Sequence, residues 1–348
     1  MVKIIDADAH VIECEETWDH LQPGDERFRP IPVADPDGGH AGWLVDGQLV
    51  AGAAGDPSIS KDIKELRDVP GRLAAMDGLG IDAQVLFPTF FIGLTTDRPE
   101  VQRALAKTYN RWLAHVWSQS DGRLPWVVVP PLLDLEASLE EIDLAAEHGA
   151  HGVFMRGIEG DRVLTDPYLF PIYEKAQELG LPISIHAGTG SGAVRSIYYG
   201  QHETRSRDVF AAANLPVLGA FHLLVTSGIP DRFPDLRFGF IETGAQWVPY
   251  LVGEALRRQE TMTTEGTISS AATVLADKNL FVAVRTDNDL AGLVEGFGST
   301  NFVMGTDFGH EDAGTEVDAF SKLRAEGSIS DADLDRVMSD NARALYAL

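Results

Sequence analysis

The chain has one cysteine, Cys14, among 348 residues, which excludes an internal disulfide and a thiolate metal cluster. Basic residues are scarce as well: 28 Lys+Arg face 53 Asp+Glu, a formal charge of -25. A surface of that sign repels phosphate backbones and anionic lipid, which argues against nucleic acid and membrane partners and for a small-molecule one. No stretch approaches the roughly 18 consecutive apolar residues that mark a membrane span. Charged residues arrive at Lys3 and Asp6, before any apolar core of a secretory signal could form, so a cytoplasmic location is expected.

What is present is a rhythm. Short runs rich in Val, Ile and Phe recur at 2–9, 81–88, 124–130, 151–156, 181–187, 236–242, 280–284 and 301–307. Between them lie stretches with helical spacing, among them 100–119, 135–148, 167–179 and 247–261. Fully buried parallel strands read as continuous apolar runs, and eight βα units predict a closed (β/α)8 TIM barrel, with a doubly wound open sheet as the alternative. The whole of 1–348 is read as a single barrel domain. Residues 13–64 interrupt the rhythm with five prolines and many Gly and Asp, and form an insertion after strand one. Within it, Asp46-Gly47 flanked by Trp43-Leu-Val and Gln-Leu-Val50 predicts a β-hairpin. An insertion at that point sits over the C-terminal mouth of a barrel and is expected to cap it.

Chemistry-bearing side chains cluster at the predicted strand ends. Strand one ends Asp6-Ala-Asp8-Ala-His10, and alternation places Asp6, Asp8 and His10 on one face. Strand five ends in His186 and strand eight in Asp307. Two imidazoles and two carboxylates at one mouth suit a single divalent ion, with Zn²⁺ the first candidate and Mn²⁺ or Fe²⁺ admissible.

These features resemble the amidohydrolase-related (type 2) family of metal-dependent hydrolases and decarboxylases, which includes enzymes acting on aminocarboxymuconate semialdehyde and on hydroxybenzoates. The resemblance is carried by Ile5-Asp-Ala-Asp-Ala-His10, Met76-Asp-Gly-Leu-Gly-Ile-Asp82, Ile185-His-Ala-Gly188, Phe233-Pro-Asp-Leu-Arg-Phe238, Gly305-Thr-Asp-Phe308 and Asn341-Ala-Arg-Ala-Leu-Tyr346. It implies that Asp8 and His10 are the first metal-binding pair, His186 the strand-five ligand, and Asp307 both ligand and proton-transfer residue. Strand six departs from the family pattern, with Glu242-Thr-Gly244 where the decarboxylases carry a histidine. His222, expected on the preceding helix, is the candidate to replace that imidazole, and Glu242 the other candidate for handling a proton. Strand four carries Met155-Arg156 where binuclear relatives have a carbamylated lysine, which implies one metal.

Arg156 and Arg285, at the ends of strands four and seven, could grip a substrate carboxylate or pair with Glu159 and Asp287. Trp247 could wall a cyclic or aromatic substrate. The expectation is a metal-dependent hydrolase that activates water against such a substrate, or, on the same residues, a nonoxidative decarboxylase of an aromatic or muconate-type acid. A noncatalytic barrel is the third reading. The family resemblance and the apolar segments of the insertion suggest a homodimer.

Overall fold

The computed structural model describes residues 4–34, 40–51, 55–199, 210–261, 264–311 and 314–348. Eight parallel strands form one sheet: β1 (Ile5–His10), β2 (Ala83–Phe87), β3 (Trp126–Val128), β4 (Ala150–Arg156), β5 (Ile183–His186), β6 (Phe238–Ile241), β7 (Leu280–Val284) and β8 (Phe302–Met304). They neighbour one another in chain order, as right-handed crossovers through helices require. Each run is buried on both faces, which is why it reads as apolar throughout.

The sheet closes between β8 and β1. The His10 amide donates to Phe308 O at 2.8 Å, and the Asp307 amide donates to Asp8 O at 2.9 Å. This approach depends on Gly305, where a Cβ would lie 2.3 Å from the Asp8 Cβ. The fold is a TIM barrel, and the open-sheet alternative is set aside by these bonds.

Pairing of β1 with β2 shifts register between Asp6 and Ala9: Asp6 faces Gln84, but Ala9 faces Leu86. The extra residue breaks the simple alternation expected for this strand. Asp6 turns to the Thr306 amide and hydroxyl at 2.9 and 2.5 Å and to the Gln84 amide at 2.9 Å. It therefore ties β1 to its neighbours while Asp8 and His10 face the mouth.

The chain's last helix, Asn341–Tyr346, has a structural task. Asn341 donates to the Ser299 and Phe302 carbonyls at 2.6 and 2.7 Å, and the buried Tyr346 hydroxyl donates to Ala7 O at 3.0 Å. The insertion contains a three-stranded antiparallel sheet, Ile31–Ala34, His40–Val45 and Gln48–Ala51. Its tight turn places Asp46 at φ +50° and Gly47 at φ +79°, the positive pair that a two-residue hairpin requires. Trp18 is fully buried and fastens the insertion, with its ring 5.7 Å from Trp43 and 5.0 Å from Phe90 of the β2 loop.

Candidate metal centre

Asp8 and His10 from β1, His186 from β5 and Asp307 after β8 converge at the C-terminal end of the barrel, all nearly inaccessible to solvent. His10 Nδ1 lies 3.1 Å from the Pro88 carbonyl, and His186 Nδ1 lies 2.8 Å from the Ala187 carbonyl. A carbonyl only accepts, so both rings carry their proton on Nδ1 and present a bare lone pair at Nε2. Those two Nε2 atoms face each other at 3.1 Å. Asp8 Oδ1 lies 3.5 Å from one and 3.4 Å from the other, and Asp307 Oδ1 lies 3.4 Å from His10 Nε2.

Acceptors thus face acceptors. Asp8 Oδ1 is buried without a hydrogen-bond partner, an arrangement that costs free energy unless a cation fills the gap. Ligand bonds of about 2.0–2.2 Å in a tetrahedron put neighbouring ligand atoms roughly 3.4 Å apart, close to the separations seen here. Asp8, His10 and His186 offer ligand atoms that all lie within 4.8 Å of one another, a set that suits one divalent ion, and Asp307 adjoins it through His10, grouping with His10 and His310.

Electrostatics agree with that donor set. Burial pushes His10 down to about 4, with His310 adding to the effect, so the ring is neutral and ready to ligate at pH 7. Burial alone would raise Asp8, but the adjoining His186 and His10 outweigh it and hold the carboxyl below its ordinary value. Asp307 behaves likewise, with His310 the main counterweight to burial. Asp6, which lacks such neighbours, is pushed up to about 7 by burial.

One buried residue of the cluster escaped the sequence analysis. His310 places Nδ1 2.9 Å from Asp307 Oδ1 and stacks on His10 with ring centroids 3.8 Å apart. Its Nε2 lies 2.8 Å from the Thr89 hydroxyl. An ionised carboxylate accepts, so the His310 proton sits on Nδ1, and the Thr89 hydroxyl then donates to Nε2. The turn that folds His310 back is strained: Asp307 has φ +53° and Gly309 φ +113°, and a Cβ on Gly309 would meet the His10 carbonyl at 3.0 Å. The signal in the sequence was Asp307-Phe-Gly-His310, a histidine three residues past a strand-end acid across a glycine. The second carboxylate oxygen of Asp307 accepts from the Thr315 hydroxyl at 2.6 Å.

Glu242 comes to the site from behind. Its Oε2 lies 3.2 Å from His186 Nδ1, on the far side of the ring from the converging lone pairs. That position orients the imidazole, the usual carboxylate–histidine support of a ligand. Glu242 also has φ +65°, a strained geometry at a strand end.

Other candidates are placed elsewhere. His222 lies on the helix Leu215–Thr226, where its surroundings are Leu251, Arg258 and Glu254 of the helix Val248–Thr261. Crossover helices pack on the outside of a barrel, so its imidazole is not brought to the mouth. Arg156 has its guanidinium consumed: Nε donates to Glu159 Oε1 at 3.1 Å, Nη2 pairs with Oε2, and Nη1 donates to the Phe91 and Gly93 carbonyls, each at 3.0 Å. It is a buried brace between loops. Trp247 packs edge-on against Phe221 at 4.9 Å and donates to Thr243 O, outside the cluster. Arg285 alone of the three lines the small cavity of about 20 Å³ beside Asp8, Glu242 and Asp307, although its guanidinium pairs with Asp287 at 3.1 and 2.9 Å.

Comparison with known proteins agrees with this architecture. A family model described as amidohydrolase matches residues 5–348. Among solved structures, an amidohydrolase from Mycobacterium avium subsp. paratuberculosis K-10 superposes with TM-score 0.80 at 19% identity, over 99% of this chain and 98% of that one. A 5-carboxyvanillate decarboxylase from Novosphingobium aromaticivorans DSM 12444, complexed with manganese and a nitrobenzoic acid, gives 0.71 at 18% identity over 99% and 96%. A 4-oxalomesaconate hydratase from Rhodopseudomonas palustris gives 0.64 at 18% identity over 99% and 96%. At these identities the likeness establishes the fold. No curated protein matches the sequence.

Proposed function

The chain belongs to the amidohydrolase family, and we propose that it is a single-metal hydrolase acting on a C–N or C–O bond of a small cyclic or aromatic substrate. The observation that carries the reading is the convergence of two unprotonated Nε2 atoms on a buried, unpartnered carboxylate oxygen, with a second carboxylate alongside. Asp8, His10 and His186 would hold the ion, with Asp307 completing the set. A divalent ion at that position supplies Lewis acidity and lowers the pKa of a water toward neutrality. Asp307, held ionised by His310, accepts the proton at its carboxylate. His310 and Thr315 fix its two oxygens, and Glu242 fixes the plane of His186. Zn²⁺ is the first candidate, and Mn²⁺ and Fe²⁺ suit the same nitrogen and oxygen donors.

Metal analysis of protein purified without added metal, beside turnover on panels of lactones, esters and amides before and after chelation, tests this reading. Protein that holds no divalent ion and gains none from added Zn²⁺, Mn²⁺ or Fe²⁺ would overturn it. The second reading, nonoxidative decarboxylation, draws support from the decarboxylase-like architecture, and CO₂ release from hydroxybenzoate-type acids with no cleavage of the panels would select it. Proton delivery to carbon would then fall to Asp307.

A homodimer is part of the proposal. Ile31, Leu44 and Leu49 lie opposite one another across the insertion sheet and are 59%, 38% and 52% exposed, an apolar row that a second copy would cover. Light scattering on the purified chain reads the mass directly. Among the described residues no helix is long and apolar enough to cross a membrane, and the net charge of -25 disfavours nucleic acid and anionic lipid as partners.

A further inference from the structure

Lys64 is an anomaly in so acidic a chain. It is 9% exposed, yet among the described residues no carboxylate lies within ion-pair distance, and its ammonium donates to the Asp56 main-chain carbonyl. The other buried cations are differently placed. Arg156 pairs with Glu159, Lys278 with Asp231 at 3.2 Å, and Arg72 donates to Gln84 and the His10 carbonyl. The carboxylate of Asp56, whose carbonyl the ammonium engages, is itself turned to the Ser58 hydroxyl and amide at 2.6 and 2.7 Å. A buried lysine without a counter-ion is rare because desolvation of the charge goes uncompensated.

Lys64 lines a cavity of about 660 Å³ formed by the insertion and the residues that flank it, a size typical of small-molecule sites. Ile12, Trp43 and Ile59 give it apolar walls. Gly55 keeps the space at the ammonium open, since a Cβ there would lie 2.9 Å from Nζ. Of the acids at this cavity, Glu65 is held by Arg67 at 2.8 Å and Lys61 at 3.5 Å, Glu13 accepts from the Thr89 and Phe90 amides at 3.2 and 2.8 Å, and Glu15 is exposed to solvent and not within ion-pair distance of Lys64. Burial pushes Glu13 up to about 8, so at pH 7 it is largely neutral and does not repel an anion.

We propose that this cavity is a second binding site, for a small carboxylate with an apolar or aromatic body, with Lys64 as the counter-ion. An ammonium is a point charge with three donors, of which the Asp56 carbonyl uses one. The apolar walls take the body of the ligand. One wall is tied to the metal centre's own segment, because the Asp56 amide donates to Gly309 O at 3.1 Å and Gly55 pairs with His310. The inference does not rest on the metal reading and survives its failure.

Calorimetric titration of the full, metal-loaded chain with benzoate, its neutral isostere benzamide, and inorganic phosphate tests the site. Benzoate should bind with benzamide at least about tenfold weaker, since the neutral amide leaves the ammonium unpaired, and phosphate should be weaker than benzoate for want of an apolar body. Lys64→Met should weaken benzoate by a similar factor, Lys64→Arg should retain it, and His186→Ala should leave it unchanged. Benzamide binding as tightly as benzoate to the unaltered chain, phosphate binding more tightly than benzoate, or absence of benzoate binding would overturn the proposal. So would loss of benzoate binding in His186→Ala with retention in Lys64→Met, which would put the ligand at the metal centre.

Discussion

Removing the His310 imidazole should loosen the ion without touching an atom assigned to hold it. Asp307 Oδ1 lies 2.9 Å from His310 Nδ1, and its Oδ2 receives the Thr315 hydroxyl at 2.6 Å. In His310→Ala the first donor is lost, and the carboxylate is free to turn about its own bond. A hydrogen bond to a charged group contributes about 1.5–3 kcal/mol. Loss of an outer partner of a ligand typically weakens metal binding by about 10–100-fold, or about 1.4–2.8 kcal/mol, so two independent routes give the same scale. Thr89→Val should give a smaller loss in the same direction, because the hydroxyl 2.8 Å from Nε2 favours the tautomer that donates to Asp307, and Thr89→Ser should restore it. Titration with Mn²⁺, followed by the resonance of the free ion, measures each affinity. Co²⁺ absorption in parallel reports the ligand set. An affinity within about twofold of the parent in His310→Ala would refute the reasoning. A Co²⁺ spectrum showing one imidazole fewer would refute it differently, by making His310 a ligand.

Asp307→Asn should weaken the ion at least as much as His310→Ala does, and at saturating metal turnover should still fall by about 10²–10⁴-fold, the usual scale for a proton-transfer group, so metal titration beside kinetics separates the two effects. His222→Ala, on the outer face of the barrel, should leave both within about twofold on the same assays. Arg156→Met should destabilise the chain by about 3–5 kcal/mol in denaturant unfolding, because Glu159 would stay buried without its partner, and adding Glu159→Gln should recover much of the loss. Without metal, His10 titrates near 4 when folded and near 6.5 when unfolded. The unfolded chain therefore binds more protons between those values, and the contribution of His10 to stability is lost as pH falls through that window, by up to about 3 kcal/mol. Asp6, raised to about 7, works in the opposite sense, so the difference in unfolding free energy between the metal-free parent and His10→Gln at pH 7 and pH 4 is the quantity to measure. A difference that does not change with pH would rule out a buried neutral imidazole.

The barrel was legible because a parallel strand covered on both faces must be apolar throughout, as in Leu280-Phe-Val-Ala-Val284. The convergence of Asp8, His10, His186 and Asp307 was legible for the converse reason: they are polar where such a strand should be apolar. What the pattern did not carry was depth and direction. Asp6 and Asp8 look equivalent by alternation, but a one-residue slip against β2 sends Asp6 to Thr306 and leaves Asp8 at the mouth. His222 was placed on the correct helix, but its helical face points to Arg258 and Glu254, and one sequence with an even spread of apolar residues does not say which side of Leu215–Thr226 meets the sheet. Arg156 was left between two roles, and only coordinates count how many of its donors are already taken. His310 lies beyond the end of β8, where no periodicity applies and conformation is set by Gly309 and the left-handed Asp307.

Those irregular features share a cause. A site that holds several acceptors 3.1 to 3.5 Å apart without a donor between them is unfavourable in the empty chain. Two strand-end residues in left-handed geometry, Glu242 and Asp307, add to the cost. The surrounding structure holds them in place: Asp6 ties β1 to Thr306, Gly305 lets β8 approach Asp8, and the buried Arg72 donates to the His10 carbonyl at 3.3 Å. Local rules are broken where the chemistry sits and obeyed everywhere around it, the distribution expected when binding energy from a ligand offsets strain that folding alone would not accept. A cation is the ligand whose charge answers every broken rule at once, since it gives each lone pair a partner, lowers the repulsion between Asp8 and Asp307, and reaches its full strength because water is excluded.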